Sequence, residues 1–418
     1  MTNPRSFKPF KVSKAEFDRG RTKFDAPRQK SDPTHNATGT PKNINKGLNG
    51  VVVDISGVSK VNPETNSLTY RGYPVEELAE HCMFEDVAYL LWHGELPDWR
   101  EAAQFRERER ALRTVDRAML DLINSMPKSA HPMDVVRTAV SVFGTQDLEA
   151  SDRDPETVRR TGLNLMAKLP TIIACDLRRR RNQEFIPPSR DRGFAENFLY
   201  MCFGDGEDSP ANNRDDVEAF DQSLTLYAEH GFNASTFTSR VITSTMSDVY
   251  SAITGAIGAL KGPLHGGANE AVMYNFLEVG DPEDAEQWVN DQCDAKNKVM
   301  GFGHRVYKKG DSRVPTMEAA MRRTAKVHDG DKWVQMYDNM QSAMSERTGI
   351  LPNLDFPAGP TYYMLGIDIP FFTPIFVMSR VVGWTAHVVE QNADNALIRP
   401  LSSYNGPEQR EVKAASSQ

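Results

Sequence analysis

Thr245-Met-Ser-Asp-Val-Tyr-Ser-Ala-Ile-Thr-Gly-Ala-Ile-Gly-Ala-Leu-Lys-Gly-Pro-Leu-His-Gly-Gly267 is the stretch whose reading decides the fold. Thr245 to Asp248 reads as a capping box, and helical spacing continues through Leu260. Ala252, Gly255, Ala256 and Ala259 make one side of this helix small, so a second helix can approach closely. Lys261-Gly-Pro263 ends it and sets His265 on a turn between packed helices.

Working outward, most of the chain reads in the same way. Val75 to Trp92 carries Leu78, Ala79, Val87, Leu90 and Leu91 at helical spacing and stops at His93-Gly94. Arg100 to Asn124, Pro132 to Phe143 and Pro155 to Arg181 are further helices, and the Arg178 to Arg181 run reads as a solvated helix end beside favourable carbonyl dipoles. Phe371 to Val389 is the most apolar stretch. Its Pro374, Arg380 and His387 make it a buried helix rather than a membrane span. Before all of these, residues 1 to 45 have the composition of a solvated tail, Val51 to Ser56 is strand-like, and Asn66 to Pro74 suggests a short hairpin. The expected fold is mainly α with a short N-terminal β hairpin. Its large lobe spans 46–265 and 366–418 around a smaller one at 266–365.

The 418 residues, 39% of them hydrophobic, are enough for a large core. A net charge of -8 argues against a nucleic-acid surface. Cys82, Cys175, Cys202 and Cys293 lie far apart with no C-x-x-C pair, which fits a reducing cytoplasm. No apolar secretory segment follows Met1, so no leader is expected.

The chemistry-bearing residues gather in the C-terminal half: His230 in Glu-His-Gly-Phe-Asn, His265 in Pro-Leu-His-Gly-Gly, His304 in Gly-Phe-Gly-His-Arg, and Asp355 among Pro352, Pro357 and Pro360. Neutral imidazole donates a hydrogen bond and a fixed carboxylate removes a proton, so the set points to deprotonation beside a carbonyl. Each histidine alone reads more readily as a structural residue than as a catalyst, and His35, His81, His93, His131, His328 and His387 are taken as structural or surface residues. Zinc ligation is disfavoured, because no closely spaced ligand pair occurs and arginines would repel the ion. Arg313, Arg380 and Arg399 can hold an anionic substrate. Arg380, in an apolar helix, needs an anion, which a buried acid or a substrate carboxylate would supply equally well. Gly301-Phe-Gly303 lacks the third glycine of a dinucleotide loop, while Arg305, Lys308 and Lys309 could meet carrier phosphates.

On these motifs, together with Thr65-Asn-Ser-Leu-Thr-Tyr-Arg-Gly-Tyr-Pro74 and Leu90-Leu-Trp-His-Gly-Glu-Leu-Pro97, the chain resembles the citrate synthase family, particularly its bacterial 2-methylcitrate synthases, from about Gly47 to Glu411. The resemblance implies a two-domain helical homodimer without a metal or redox cofactor, binding neither membrane nor nucleic acid. It implies that His230, His304, Arg313, Arg380 and Arg399 bind oxaloacetate, with Arg399 reaching the partner's site. It also implies that His265 and Asp355 act on propionyl-CoA or acetyl-CoA, with His304 polarising the ketone. The CoA would lie near Gly301, Gly303, Arg305, Lys308 and Lys309. Many citrate synthases carry arginine where this chain has Lys308. One methylene separates the two acyl groups, and whole-chain resemblance favours propionyl. A non-catalytic sensor of CoA or a dicarboxylate would keep the arginines and histidines but has no need of Asp355.

Overall fold

A computed structural model describes residues 44–62, 64–304, 306–307 and 309–412. The tail expected at residues 1 to 45 lies almost wholly outside them. Of the described residues, 44–55 and 397–412 belong to one unit and 56–396 to another. The first unit is largely exposed, with a single 3-10 turn at Lys46–Leu48. The strand expected at Val51 to Ser56 is not formed. No strand pairs with it, and Val52 and Ile55 face solvent.

The second unit opens with an antiparallel sheet of β1 (Ser59–Asn62), β2 (Ser67–Tyr70) and β3 (Tyr73–Pro74). The expected hairpin is β2 and β3, turned at Arg71-Gly72, both at positive φ. Sixteen α-helices follow among the described residues: α1 (Val75–His81), α2 (Phe84–His93), α3 (Trp99–Leu112), α4 (Arg117–Ser125), α5 (Pro132–Gln146), α6 (Pro155–Arg180), α7 (Phe194–Phe203), α8 (Arg214–Tyr227), α9 (Ala234–Ser244), α10 (Val249–Leu260), α11 (Ala268–Val279), α12 (Ala285–Asp294), α13 (Val314–Val327), α14 (Asp331–Thr348), α15 (Asp355–Met364) and α16 (Phe372–Ala393). The mainly α reading therefore holds.

Two helices expected to be continuous are broken. At Cys82-Met83 the backbone extends, because Asp221 accepts the N–H of Phe84 at 3.1 Å and Asp86 that of Met83 at 3.2 Å. Between α3 and α4, Asp116 caps a new start by accepting Met119 N at 2.8 Å. The capping box expected at Thr245 is also corrected. Thr245 ends α9, Met246 turns at positive φ, and Asp248 caps α10 through Ser251 N at 2.8 Å. The small face of α10 does receive α9, with Ile242 against Gly255. The Arg178 to Arg181 run is not solvated. Its guanidiniums bond the carbonyls of Cys202 (3.0 Å), Met126 (2.6 Å), Lys128 (2.6 Å), Ala130 (2.8 Å) and Gly366 (2.7 Å), as well as that of Glu184.

α16 is the axis of the core. It packs against α6, α9, α10, α8 and α2, and 94% of its apolar window is buried although it is long and apolar enough to cross a membrane. The end of α8, the joint between α10 and α11, and the loops before α13 and α15 carry the chemistry-bearing residues.

Candidate active site

α8 stops at Tyr227, and the next residues are pinned from three sides. The Tyr70 hydroxyl meets Glu229 O at 2.9 Å and receives Glu229 N–H at 3.1 Å. Glu229 Oε1 accepts from Ser59 Oγ at 3.0 Å and lies 2.9 Å from His387 Nε2. From α16, Gly383 comes so close that a Cβ there would lie 2.3 Å from Ala228 O. This segment delivers His230, whose Nε2 is buried without a hydrogen-bond partner among the described residues. The His230 ring sits 4.9 Å from that of His304 and 5.5 Å from that of Tyr307. Burial, then Arg313 and His304, hold His230 well below the usual histidine range.

His304 and Asp355 are placed by two loops tied together. Gly303 N donates to Leu351 O at 2.9 Å, Asn353 N to Gly301 O at 2.8 Å, and Phe302 bridges to Pro352. Gly301 and Gly303 both have left-handed φ, and a Cβ on Gly301 would strike Val272 and Phe356. His304 Nδ1 accepts the N–H groups of Val306 (3.1 Å) and Tyr307 (3.2 Å), so a neutral ring carries its proton on Nε2. Burial and Arg313 bring its pKa down to about 4. Asp355 opens α15, and its Oδ1 accepts the Tyr227 hydroxyl at 2.6 Å. Burial raises its pKa to about 6 against the lowering pull of Tyr227, Arg313 and Arg380.

His265 stands on the α10–α11 joint, as expected. Its Nε2 meets Ser235 Oγ at 2.8 Å and Asn233 Oδ1 at 3.2 Å, while Trp384 Nε1 donates to Ser235 Oγ at 3.1 Å. The Ser235 hydroxyl donates to Asn233 Oδ1 at 2.8 Å, and that amide oxygen can only accept from His265 Nε2. Burial and then Arg380 lower the His265 pKa to about 4. The Phe376 ring lies 6.2 Å from His265 and 4.4 Å from Tyr227.

The arginines divide. Arg313 is paired locally with Asp311, Nε meeting Oδ1 at 2.9 Å and Nη2 meeting Oδ2 at 2.7 Å, which leaves further N–H donors on the guanidinium. Arg380 donates through Nε to Tyr227 O at 2.6 Å and stacks on Phe376, with its centre 4.7 Å from the ring. Among the described residues no carboxylate lies within ion-pair distance of it, and burial lowers its pKa to about 10. Its terminal amino groups can therefore receive an outside anion. Lys309 is exposed, Arg305 and Lys308 lie outside the described residues, and Arg399 is an exposed residue of the unit formed by 44–55 and 397–412. His387, read as structural, is buried between Glu229 and Arg240, whose Nη1 lies 3.1 Å from its Nδ1.

Tyr227, Ser235, Asp311 and Phe376 were not read as site residues. Tyr227 stands three positions before His230, and that short spacing was its one available sign. Together the groups supply a near-neutral carboxylate base, neutral imidazole donors and a buried cation.

Fold and site define a mainly helical protein with an acid–base and anion-binding centre. Residues 47–401 match the model of citrate synthase, C-terminal domain, and the chain belongs to the citrate synthase family. It is 61% identical over 376 residues to 2-methylcitrate synthase 2 of Corynebacterium glutamicum, covering 90% of this chain and 98% of that one. It is 58% identical over 369 residues to a citrate synthase of Mycolicibacterium smegmatis, covering 88% and 97%. A ternary complex of carboxymethyl coenzyme A and oxaloacetate with the citrate synthase of Thermoplasma acidophilum superposes with a TM-score of 0.84 at 30% identity, covering 90% and 99%.

Proposed function

We propose that this protein is an acyltransferase that condenses propionyl-CoA with oxaloacetate and water, giving 2-methylcitrate and CoA, with some citrate formation from acetyl-CoA. The observation that carries the reading is Asp355, a partly buried carboxyl whose pKa is raised to about 6, in a site that also holds neutral imidazoles and an anion-ready Arg380. Asp355 takes the α-proton of the thioester. His265, as a neutral imidazole, donates to the enol oxygen. The new carbon nucleophile attacks the oxaloacetate ketone, which His304 Nε2–H polarises, and water then cleaves the thioester to release CoA.

Arg380, His230 and Arg313 hold the keto acid, with Arg399 reaching the partner's site in a homodimer. Arg305, Lys308 and Lys309 face the CoA phosphates, and Gly301 and Gly303 let backbone approach the carrier. Residues 46–265 and 366–418 act as the large domain and 266–365 as the small one that closes on it. No resident cofactor takes part, and the protein works in the cytoplasm.

The second reading, a citrate synthase preferring acetyl-CoA, is supported by the Mycolicibacterium smegmatis relative. One methylene is worth only about 1 to 3 kcal/mol, so kcat/KM decides between the two. Purified protein is expected to release free CoA from oxaloacetate and propionyl-CoA without ATP or added metal. Less release is expected from acetyl-CoA. Loss of activity in a chelator, restored by zinc, would overturn the chemistry. A clear acetyl-CoA preference would overturn the substrate alone.

A further inference from the structure

We propose that Tyr227 is a positioning residue for the carbon base, its hydroxyl holding Oδ1 of Asp355 so that Oδ2 alone is left to take the proton. The proposal rests on the reading of Asp355 as that base. Tyr227 is buried at the end of α8, and its hydroxyl reaches Asp355 Oδ1 at 2.6 Å. Asp355 Oδ2 receives no hydrogen bond among the described residues, so the two oxygens are unequal before any substrate arrives. The phenol is itself fixed. Its ring packs at 4.4 Å on Phe376, and its carbonyl accepts Arg380 Nε at 2.6 Å.

The other charged groups acting on Asp355 are Arg313 and Arg380, which favour its ionised form, and Asp311, which opposes it. Tyr362 is committed to Ser223 Oγ at 2.9 Å. Burial and the neighbouring carboxylate push the Tyr227 phenol well above its ordinary pKa, so it stays a donor throughout the working range. A donor of this kind lowers the carboxyl pKa, and its removal leaves the base protonated to higher pH.

Tyr227→Phe keeps the ring and deletes the hydroxyl. The acid limb of its kcat profile is expected about one pH unit above that of the unaltered enzyme, with the plateau regained at high pH and the KM for oxaloacetate unchanged. Replacing Tyr227 with 3-fluorotyrosine, a more acidic donor, is expected to move the limb the other way. Independently of turnover, carbon-13 carboxyl resonances of labelled aspartate, assigned by their loss in Asp355→Asn, give the Asp355 titration directly. An upward shift in Tyr227→Phe supports the proposal. Equal titration in both proteins, or a profile scaled down at every pH with its limb unmoved, overturns it. If the unaltered enzyme releases no CoA while the resonance still shifts, the fault lies with the proposed function and not with the hydrogen bond.

Discussion

A charged Asp355 is costly to fold, because burial raises its pKa from 3.8 to about 6. A group whose folded pKa is raised contributes stability below the unfolded value and loses it as pH rises through the folded one. Asp355→Asn is therefore expected to be more stable than the unaltered protein at pH 8, by up to about 3 kcal/mol, and to melt higher there, with the advantage gone near pH 4. Calorimetric scans at both pH values check this. The same variant should lose about a thousandfold in kcat while keeping its affinity for oxaloacetate, measured by titration calorimetry. Arg380→Leu should reverse that pattern, weakening oxaloacetate binding about a hundredfold through loss of a charge-assisted contact. His230, His265, His304 and Asp355 were legible because glycine or proline flanks each of them. Tyr227 was not, since a tyrosine at the end of an apolar helix face looks like any core residue, and its partner lies 128 positions away.

Among the elements, the positions of α10 and α16 were easy to expect, whereas the breaks between α1 and α2 and between α3 and α4 were not. Hydrophobic spacing runs in phase through Cys82-Met83, so the pattern continues where the helix ends. The break is made by Asp221, a distant side chain that captures Phe84 N. Thr245 looked like a cap because the end of α9 was not visible in the pattern. Gly383 was equally silent, although its missing side chain lets the α16 backbone lie against the Ala228 carbonyl. Gly383→Ala is expected to cost about 1 to 3 kcal/mol, because backbone carbonyl oxygen stands where the methyl must go. It should also raise the KM for oxaloacetate by displacing His230. An unchanged KM with a lowered melting temperature would confine the contact to packing.

For the whole molecule, the prediction concerns subunits. If Arg399 completes the partner's site, Asp355→Asn and Arg399→Ala should rescue each other when coexpressed. About half of randomly assorted dimers are mixed and each has one intact site of two, so activity should recover to about a quarter. Mixed dimers confirmed by mass yet inactive would place Arg399 within its own chain. The mainly helical class was legible from spacing alone, whereas the setting apart of 44–55 and 397–412 as a unit of their own was not, because the expected large lobe ran through both stretches without a boundary. The arginines closing α6 bear on how such a protein can change over generations. They grip main-chain oxygen at Met126, Lys128, Ala130, Cys202 and Gly366, and every amino acid supplies that atom. Descendant sequences can therefore change the side chains of Met126, Lys128 and Ala130 without removing the atoms the arginines hold, while the four arginines themselves stay under constraint.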